Sequence, residues 1–228
     1  MDCCHLRGHW NGVLCLLTVR NANDEIVVVC ATVSAVENES VYDYTIENAL
    51  RNDDMASWLN KPTTTFVLDG RKGSAFALPK GLPLAEARGC LRGLTAKVTP
   101  ALGKMCTELV FEAARADNER TFEEIMDKVK RLKPESYAKM MAYERTWWAN
   151  YACRDNVTWD QVTSNFSESA NVMLQELRER PVFDMLKGLV EQCAAKLHEQ
   201  AELMKDSSQI YTPFYEKIYN TELDAARK

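Results

Sequence analysis

Asp69 is the acidic residue whose setting in the sequence most suggests chemistry. It follows the run TTTFVL, residues 63–68, whose threonines, phenylalanine and valine are typical of a half-buried strand. A carboxylate at the carboxyl end of a strand lies where open α/β sheets bind their ligands. The same aspartate could instead cap a helix or open a turn, and the following Gly70 would favour a turn. The residues alone leave both roles open.

A second group of polar residues lies in the segment TSNFSESANVML, residues 163–174. Asn165, Glu168 and Asn171 are spaced by three, so on a helix they share one face. The neighbouring apolar residues predict that this helix is packed: Val162, Phe166, Val172 and Met173. A carboxylate between two carboxamides suits a metal ligand with its supporting hydrogen bonds. A solvated polar stripe has the same spacing and stays open as the alternative.

Positive charge is concentrated just after Asp69. The stretch from Arg71 to Lys104 contains seven cations and one anion, Glu86, whereas the whole chain has a net charge of -5. The overall charge argues against a protein that binds nucleic acid with its whole surface, because such affinity comes mainly from neutralised phosphates. The local excess predicts either a solvated face or a limited surface for DNA.

Composition is that of an ordinary globular protein, with 46% hydrophobic and 27% charged residues among 228. The sequence contains neither an apolar run of about 20 residues nor the apolar core of a signal peptide, which predicts an intracellular protein with no membrane contact. The eight cysteines include no Cys-x-x-Cys pair and are interpreted as reduced core thiols. A zinc site from Cys3, Cys4, His5 and His9 is a weak alternative, because adjacent cysteines rarely bind one ion well.

The elements that must position these residues change character along the chain. The pattern of residues 12–37 predicts a hairpin, and that of residues 40–59 predicts a helix capped by Ser40. Two short strands are predicted next, at residues 63–68 and 86–91, with a helical piece at residues 74–78 between them. From about Leu94 the pattern is helical only. Capping boxes are predicted at Thr121 with Glu124 and at Thr158 with Gln161. Pro134 starts a helix, and Pro181 opens a last long one toward residue 204.

The order of these features resembles the transposase domain of Mutator-like elements, over residues 2 to about 189. DCCHLRGHWNG resembles the family's Asp-Gly-Thr start, AVENESVYDY its Glu-Asn-x-Ser-Trp segment, and FVLDGRKG its Ser-Asp-Arg-x-x-Gly strand end. The segment from Val110 to Met140 is similar to the family's helical insertion. SNFSES resembles its glutamate helix, and RPVFDML the run after it.

The resemblance implies an α/β fold: a ribonuclease H-like mixed sheet flanked by helices, with a helical insertion. Residues 1–95 would form the first part of the core, 96–155 the insertion, and 156–228 the rest of the core with the C-terminal helices, so that the hairpin and the Asp69 strand share one core. The implied catalytic and metal-binding triad is Asp2, Asp69 and Glu168, converging on two Mg²⁺ ions, with carboxylates within roughly 4 to 8 Å. The implied DNA contacts are Arg71, Lys72, Arg92 and Lys97.

Departures from the family pattern predict an impaired enzyme. The family's Cys-x-x-His reads here Cys90-Leu91-Arg92-Gly93, so the imidazole is absent, and CysCys replaces the residues after the first aspartate. Met1 directly precedes Asp2, so the first strand is expected to be almost wholly missing or trimmed from a longer protein, with Asp2 held loosely. No zinc-binding DNA-recognition module is expected. The predicted function is a truncated or impaired transposase-derived domain with weak, largely non-specific DNA binding, nuclear if it acts on DNA. The alternative is a domesticated, non-catalytic domain that binds DNA or a protein partner.

Overall fold

A computed structural model describes residues 1–68, 81–98, 103–153, 162–163, 165–205 and 210–227, without the side chains of residues 97, 165–168 and 204. Its strands are β1 (Asp2–His5), β2 (Val13–Arg20), β3 (Ile26–Ser34), β4 (Thr65–Leu68) and β5 (Glu86–Gly89). Its helices are α1 (Glu39–Leu50), α2 (Asp53–Leu59), α3 (Leu91–Val98), α4 (Gly103–Ala114), α5 (Glu119–Leu132), α6 (Pro134–Met141), α7 (Asn165–Met173), α8 (Val182–Lys205) and α9 (Pro213–Ala226). The protein is therefore of the mixed α/β class that the sequence predicts.

The chain forms two compact units. The first contains Met1–Asp2 and Val36–Asn165, and the second contains Cys3–Ala35 and Phe166–Lys228. The β2–β3 hairpin and β4, which the resemblance places in one core, thus belong to different units. The boundaries expected at 95/96 and 155/156, and a single ribonuclease H-like sheet, remain predictions.

The second unit is built on a sheet with the strand order β1-β2-β3. Strands β2 and β3 pair antiparallel from Val13 opposite Ser34 to Arg20 opposite Ile26, which confirms the predicted hairpin. Asn21 shapes the turn, because its side-chain oxygen accepts hydrogen bonds from the backbone N–H groups of Asn23 and Glu25, each at 2.9 Å. Leu14 and Leu16 of β2 are buried in a cluster with residues of α7 and α8.

Helix α8 covers β3 with one of its faces. Met185 and Leu189 are buried in the same cluster as Leu14. Further along the helix, the Lys196 ammonium donates to the backbone carbonyl of Ile26 at 2.9 Å, and Gln200 donates to the carboxylate of Glu25. These contacts occupy backbone and side-chain acceptors at the start of β3, which is the last strand in the order of this sheet.

The first unit combines the β4–β5 pair with a helical core. In that core the Phe122 ring lies 5.3 Å from the ring of Trp148 and 4.8 Å from that of Tyr151, between ring centroids. Phe122, Ile125, Met126 and Val129 are the buried face of α5, as the sequence predicts. Pro134 is the first residue of α6, which also agrees with the prediction.

Two predicted helix starts are wrong. Helix α1 is capped by Asn38, whose side-chain oxygen accepts from the Val41 N–H, and not by Ser40. Helix α5 is capped by Asn118, whose side chain accepts from the Thr121 N–H, so Thr121 lies inside the helix. Asn is at least as good a cap as Ser or Thr, and in both cases it comes first in the chain. The box at Thr158 and Gln161 and the helical piece at 74–78 lie outside the described residues.

Residues Asp2–His5 form a strand next to β2, and this strand begins at Asp2. The expectation about strand residues that would precede Asp2 stays a prediction. Within the described residues, no helix is both long and apolar enough to cross a membrane.

Candidate functional site

Strand β1, which begins at Asp2, is held at its other end by the backbone. The Leu6 N–H donates to the Gly12 carbonyl at 2.8 Å, and the Arg7 N–H donates to the Arg178 carbonyl at 2.9 Å. The buried Arg178 guanidinium in turn donates to the His5 carbonyl at 3.2 Å. These bonds fix the end of β1 that is remote from Asp2. The Asp2 side chain is partly exposed, so an ion in solvent could reach it.

Strands β4 and β5 run parallel, with Thr65 opposite Glu86 and Leu68 opposite Gly89. The Cys90 N–H extends this pairing by donating to the Leu68 carbonyl at 2.6 Å. Both strands therefore end at the same edge, where α3 starts at Leu91. Asp69 is the next residue after β4 but lies outside the described residues, as do Arg71 and Lys72.

Glu168 belongs to α7, which confirms the predicted helix, but its side chain lies outside the described part of the structure. The packing expected for this helix is wrong in detail. Val172 and Met173 are exposed, while Ala170 and Leu174 are buried. The buried positions are thus a small residue, Ala170, and a residue just after the end of the helix, Leu174, both of which gave a weak hydrophobic signal in the sequence. The larger apolar side chains of Val172 and Met173 are exposed to solvent.

The convergence of Asp2, Asp69 and Glu168 remains a prediction, because only Asp2 has a described side chain. The donor set fits Mg²⁺ chemically, since it offers carboxylate oxygens alone. Among the described side chains, which include Cys3, Cys4, His5 and His9, no group of three or more His, Cys, Asp or Glu could hold a metal ion. All eight cysteines are free thiols, and Cys4, Cys15, Cys90 and Cys106 are buried.

Arg92 is the one predicted DNA contact with a described side chain, and it is exposed on α3. The helix buries Leu91, Leu94 and Val98 against the core of the first unit, so Arg92 points away from that core. Gly93, which replaces the histidine of the family pattern, is buried. Arg92 therefore lies on the exposed side of α3, while position 93 offers no side chain at all.

Arg88 does not belong to the cationic surface, although it lies inside the positive stretch of the sequence. It is only 3% exposed, on β5, and its guanidinium donates to the Asn150 side-chain oxygen at 2.9 Å. Its Nε is buried without a hydrogen-bond partner among the described residues. Its place between Ala87 and Gly89 in a short strand was the available signal for burial.

Cys153 lies near this buried arginine and is a partly buried free thiol. Burial raises the pKa of the Cys153 thiol to about 11, against an opposing effect of the Arg88 guanidinium. The thiol donates to the backbone carbonyl of Ala149 at 3.2 Å. At neutral pH the group is thus a protonated, hydrogen-bonded thiol that helps to close the turn around Asn150.

A groove of about 750 Å³ lies between α4 and α5. Its lining includes Glu108, Glu112 and Asp117, with Arg115 as its cation. The Arg115 guanidinium lies over the Phe111 ring, 5.9 Å from the ring centroid. A groove with this excess of carboxylates does not suit a phosphate backbone.

The chain matches no protein-family model, and no curated protein is significantly similar to it.

Proposed function

We propose that this chain is a transposase-derived domain of the ribonuclease H-like type, whose ancestral activity was metal-dependent cleavage and strand transfer of DNA. The observation that carries the proposal is the parallel pairing of β4 and β5, which end together at Leu68 and Gly89. Asp69 follows that edge directly in sequence, and the carboxyl ends of parallel strands are where such sheets keep their ligands.

The order of elements supports the same proposal. A hairpin follows a strand that begins with an aspartate, a helical segment follows the hairpin, and a parallel strand pair comes next. A later helix, α7, contains the third carboxylate of the motif, Glu168.

Asp2, Asp69 and Glu168 would hold the divalent ions. When bound, such ions activate the attacking oxygen and stabilise the leaving oxygen of a phosphodiester. Arg92 and its neighbouring cations Arg71, Lys72 and Lys97 would bind the DNA backbone by its charge, with little sequence preference.

Metal binding can be tested separately from catalysis. Mn²⁺, a paramagnetic substitute for Mg²⁺, should broaden the amide NMR signals of β1 and of residues around 68–69 and 168. Asp69→Asn should remove this broadening, whereas Asp54→Asn, an exposed carboxylate in the first turn of α2, should leave it unchanged. Broadening that is spread over the acidic surface and is identical in both variants would refute the triad.

Activity is expected to be low, because Gly93 leaves the histidine position empty. We expect little or no Mg²⁺-dependent nicking of supercoiled plasmid by this chain. Strong nicking that Asp69→Asn abolishes would support the triad but contradict the impairment.

The buried Gly93 also favours a second candidate function, a domesticated domain that binds DNA without cutting it. Both candidates predict DNA binding whose affinity falls linearly with salt on logarithmic axes. Reversing Arg92 and Lys97 to Glu should weaken binding and flatten this dependence, while Lys128→Glu on the exposed side of α5 should change it little. Equal effects of these changes would remove the DNA surface proposed around α3.

A further inference from the structure

Helix α8 has apolar residues on two of its faces. One face is buried: Met185 and Leu189 pack in the core of the second unit. On another face Phe183, Val190 and Leu197 are 77%, 67% and 52% exposed. The exposed face of a surface helix is normally polar, so a second apolar stripe requires an explanation.

The exposed stripe has the spacing of a coiled-coil seam. Its residues recur at alternating intervals of four and three, and all are exposed: Phe183, Lys187, Val190, Ala194, Leu197 and Ala201. We call this set the outer seam. Phe183, Val190 and Leu197 occupy the d positions of the heptads, while Lys187 and the two alanines occupy the a positions. The small alanines allow a partner helix to approach closely, and a single lysine in a seam sets the register.

The charges beside the outer seam indicate what the partner is. The e positions of the same heptads are occupied, seven residues apart, by Asp184, Glu191, His198 and Lys205. The first two are acidic, and the last two are hydrogen-bond donors. In an antiparallel pair of identical helices, e positions face each other, so Asp184 meets Lys205 of the other copy and Glu191 meets His198. One twofold axis can form both pairs at once, because residues that face each other in an antiparallel pair of identical helices have numbers with a constant sum, and the two pairs have the same sum.

A parallel pair would not use this complementarity, because e positions then face g positions. The g positions here are Leu186, Cys193 and Gln200, which are half-buried on the inner side of α8. The ion pairs that the face makes within one chain are weak obstacles. Lys187 to Glu191 and His198 to Glu202 measure 3.9 Å, and Lys205 to Glu202 measures 2.5 Å. All three pairs join exposed side chains, and such pairs exchange partners at little cost.

We infer that α8 binds α8 of a second copy of this chain, antiparallel, across the outer seam. The helix has 24 residues and is thus about 36 Å long. Three heptads on such a length can provide an interface approaching the roughly 800 Å² per partner of a standard complex. The inference does not depend on the transposase proposal, because it uses the outer surface of α8 and neither the triad nor the cations.

The dimer can be tested by sedimentation of the full chain over a concentration series. We expect a dimer with a dissociation constant below about 100 μM. Val190→Glu and Leu197→Glu should each raise the dissociation constant by a factor of about ten or more, because each places a charge in an apolar interface. Leu203→Glu is the matched control: Leu203 is 62% exposed on the same helix but lies off the outer seam. Circular dichroism should be unchanged in all three variants, since each residue is exposed.

The orientation has its own test. Asp184→Lys and Lys205→Asp should each weaken the dimer, and the double variant should restore it, because only an antiparallel pair brings residue 184 to residue 205. A monomer throughout the concentration series would overturn the inference, and so would a dimer that Leu203→Glu disrupts as strongly as Leu197→Glu. A dimer in which the double variant is no stronger than the single variants would overturn the antiparallel arrangement.

Discussion

Gly89 is a position where the structure leaves no room for a side chain. A Cβ atom there would lie 2.0 Å from Nε1 and 2.5 Å from Cδ1 of Trp147. Carbon atoms in contact are normally about 3.5 Å apart, so the indole would have to move by roughly 1.5 Å. Trp147 cannot yield freely, because the next residues in its turn, Trp148 and Ala149, are 1% and 0% exposed.

Gly89→Ala should therefore destabilise the protein by about 1–3 kcal/mol, the usual cost of overpacking a core. For a chain of this size, that corresponds to a decrease of roughly 2–12 °C in the thermal midpoint. Thermal unfolding followed by far-ultraviolet circular dichroism measures it. Because Gly89 pairs with Leu68, the substitution should also disturb the strand end that precedes Asp69.

Trp147→Leu supplies the control, since it removes the ring that the new methyl group would strike. In that background Gly89→Ala should cost at least about 1 kcal/mol less than in the natural chain, as expected for residues in direct contact. A Gly89→Ala protein as stable as the natural one, or an equal cost in both backgrounds, would refute the assigned contact between β5 and Trp147.

Two further predictions concern the local structure. Asn118→Ala should lower the free energy of unfolding, measured in urea, by about 1 kcal/mol, because it removes the cap of α5. Thr121→Ala should lower it by less than half as much. The reverse order would support the capping box at Thr121. At pH 9 a thiol of ordinary pKa is half ionised, whereas Cys153 in the folded protein, with a pKa of about 11, is ionised to only about 1%. Because the thiolate is the reactive form, alkylation of Cys153 should be roughly fiftyfold slower in the folded protein than in the urea-unfolded chain. The raised pKa means that the buried thiol stabilises the fold below pH 9 and that this contribution is lost as the pH rises toward 11. Mass spectrometry of the Cys153 peptide measures the rate, and equal rates in the two states would contradict the burial.

Sequence patterns located most of the regular elements, because their signals are local. The apolar runs of β2 and β3 flank a turn rich in Asn and Asp, and these signals placed the hairpin correctly. The apolar spacing in α5 likewise identified its buried face. Proline 134 marked a helix start, since its fixed backbone angle suits the first helical turn. The predicted caps failed because two candidates within three residues of each other compete at each helix start, and the choice depends on backbone geometry at a single residue.

The tertiary structure alone decided how distant residues meet. Nothing local predicts that Arg88 bonds Asn150, that Gly89 meets Trp147, or that Lys196 closes on the backbone of β3. The same holds for the buried stripe of α7 and the exposed seam of α8: spacing marks which residues share a face, but only packing decides which face is turned inward. Apolar periodicity is a property of one segment, whereas burial is a property of the pair of surfaces that come together. The sequence of α8 therefore determined two apolar faces, and the fold determined which of them would remain for a partner.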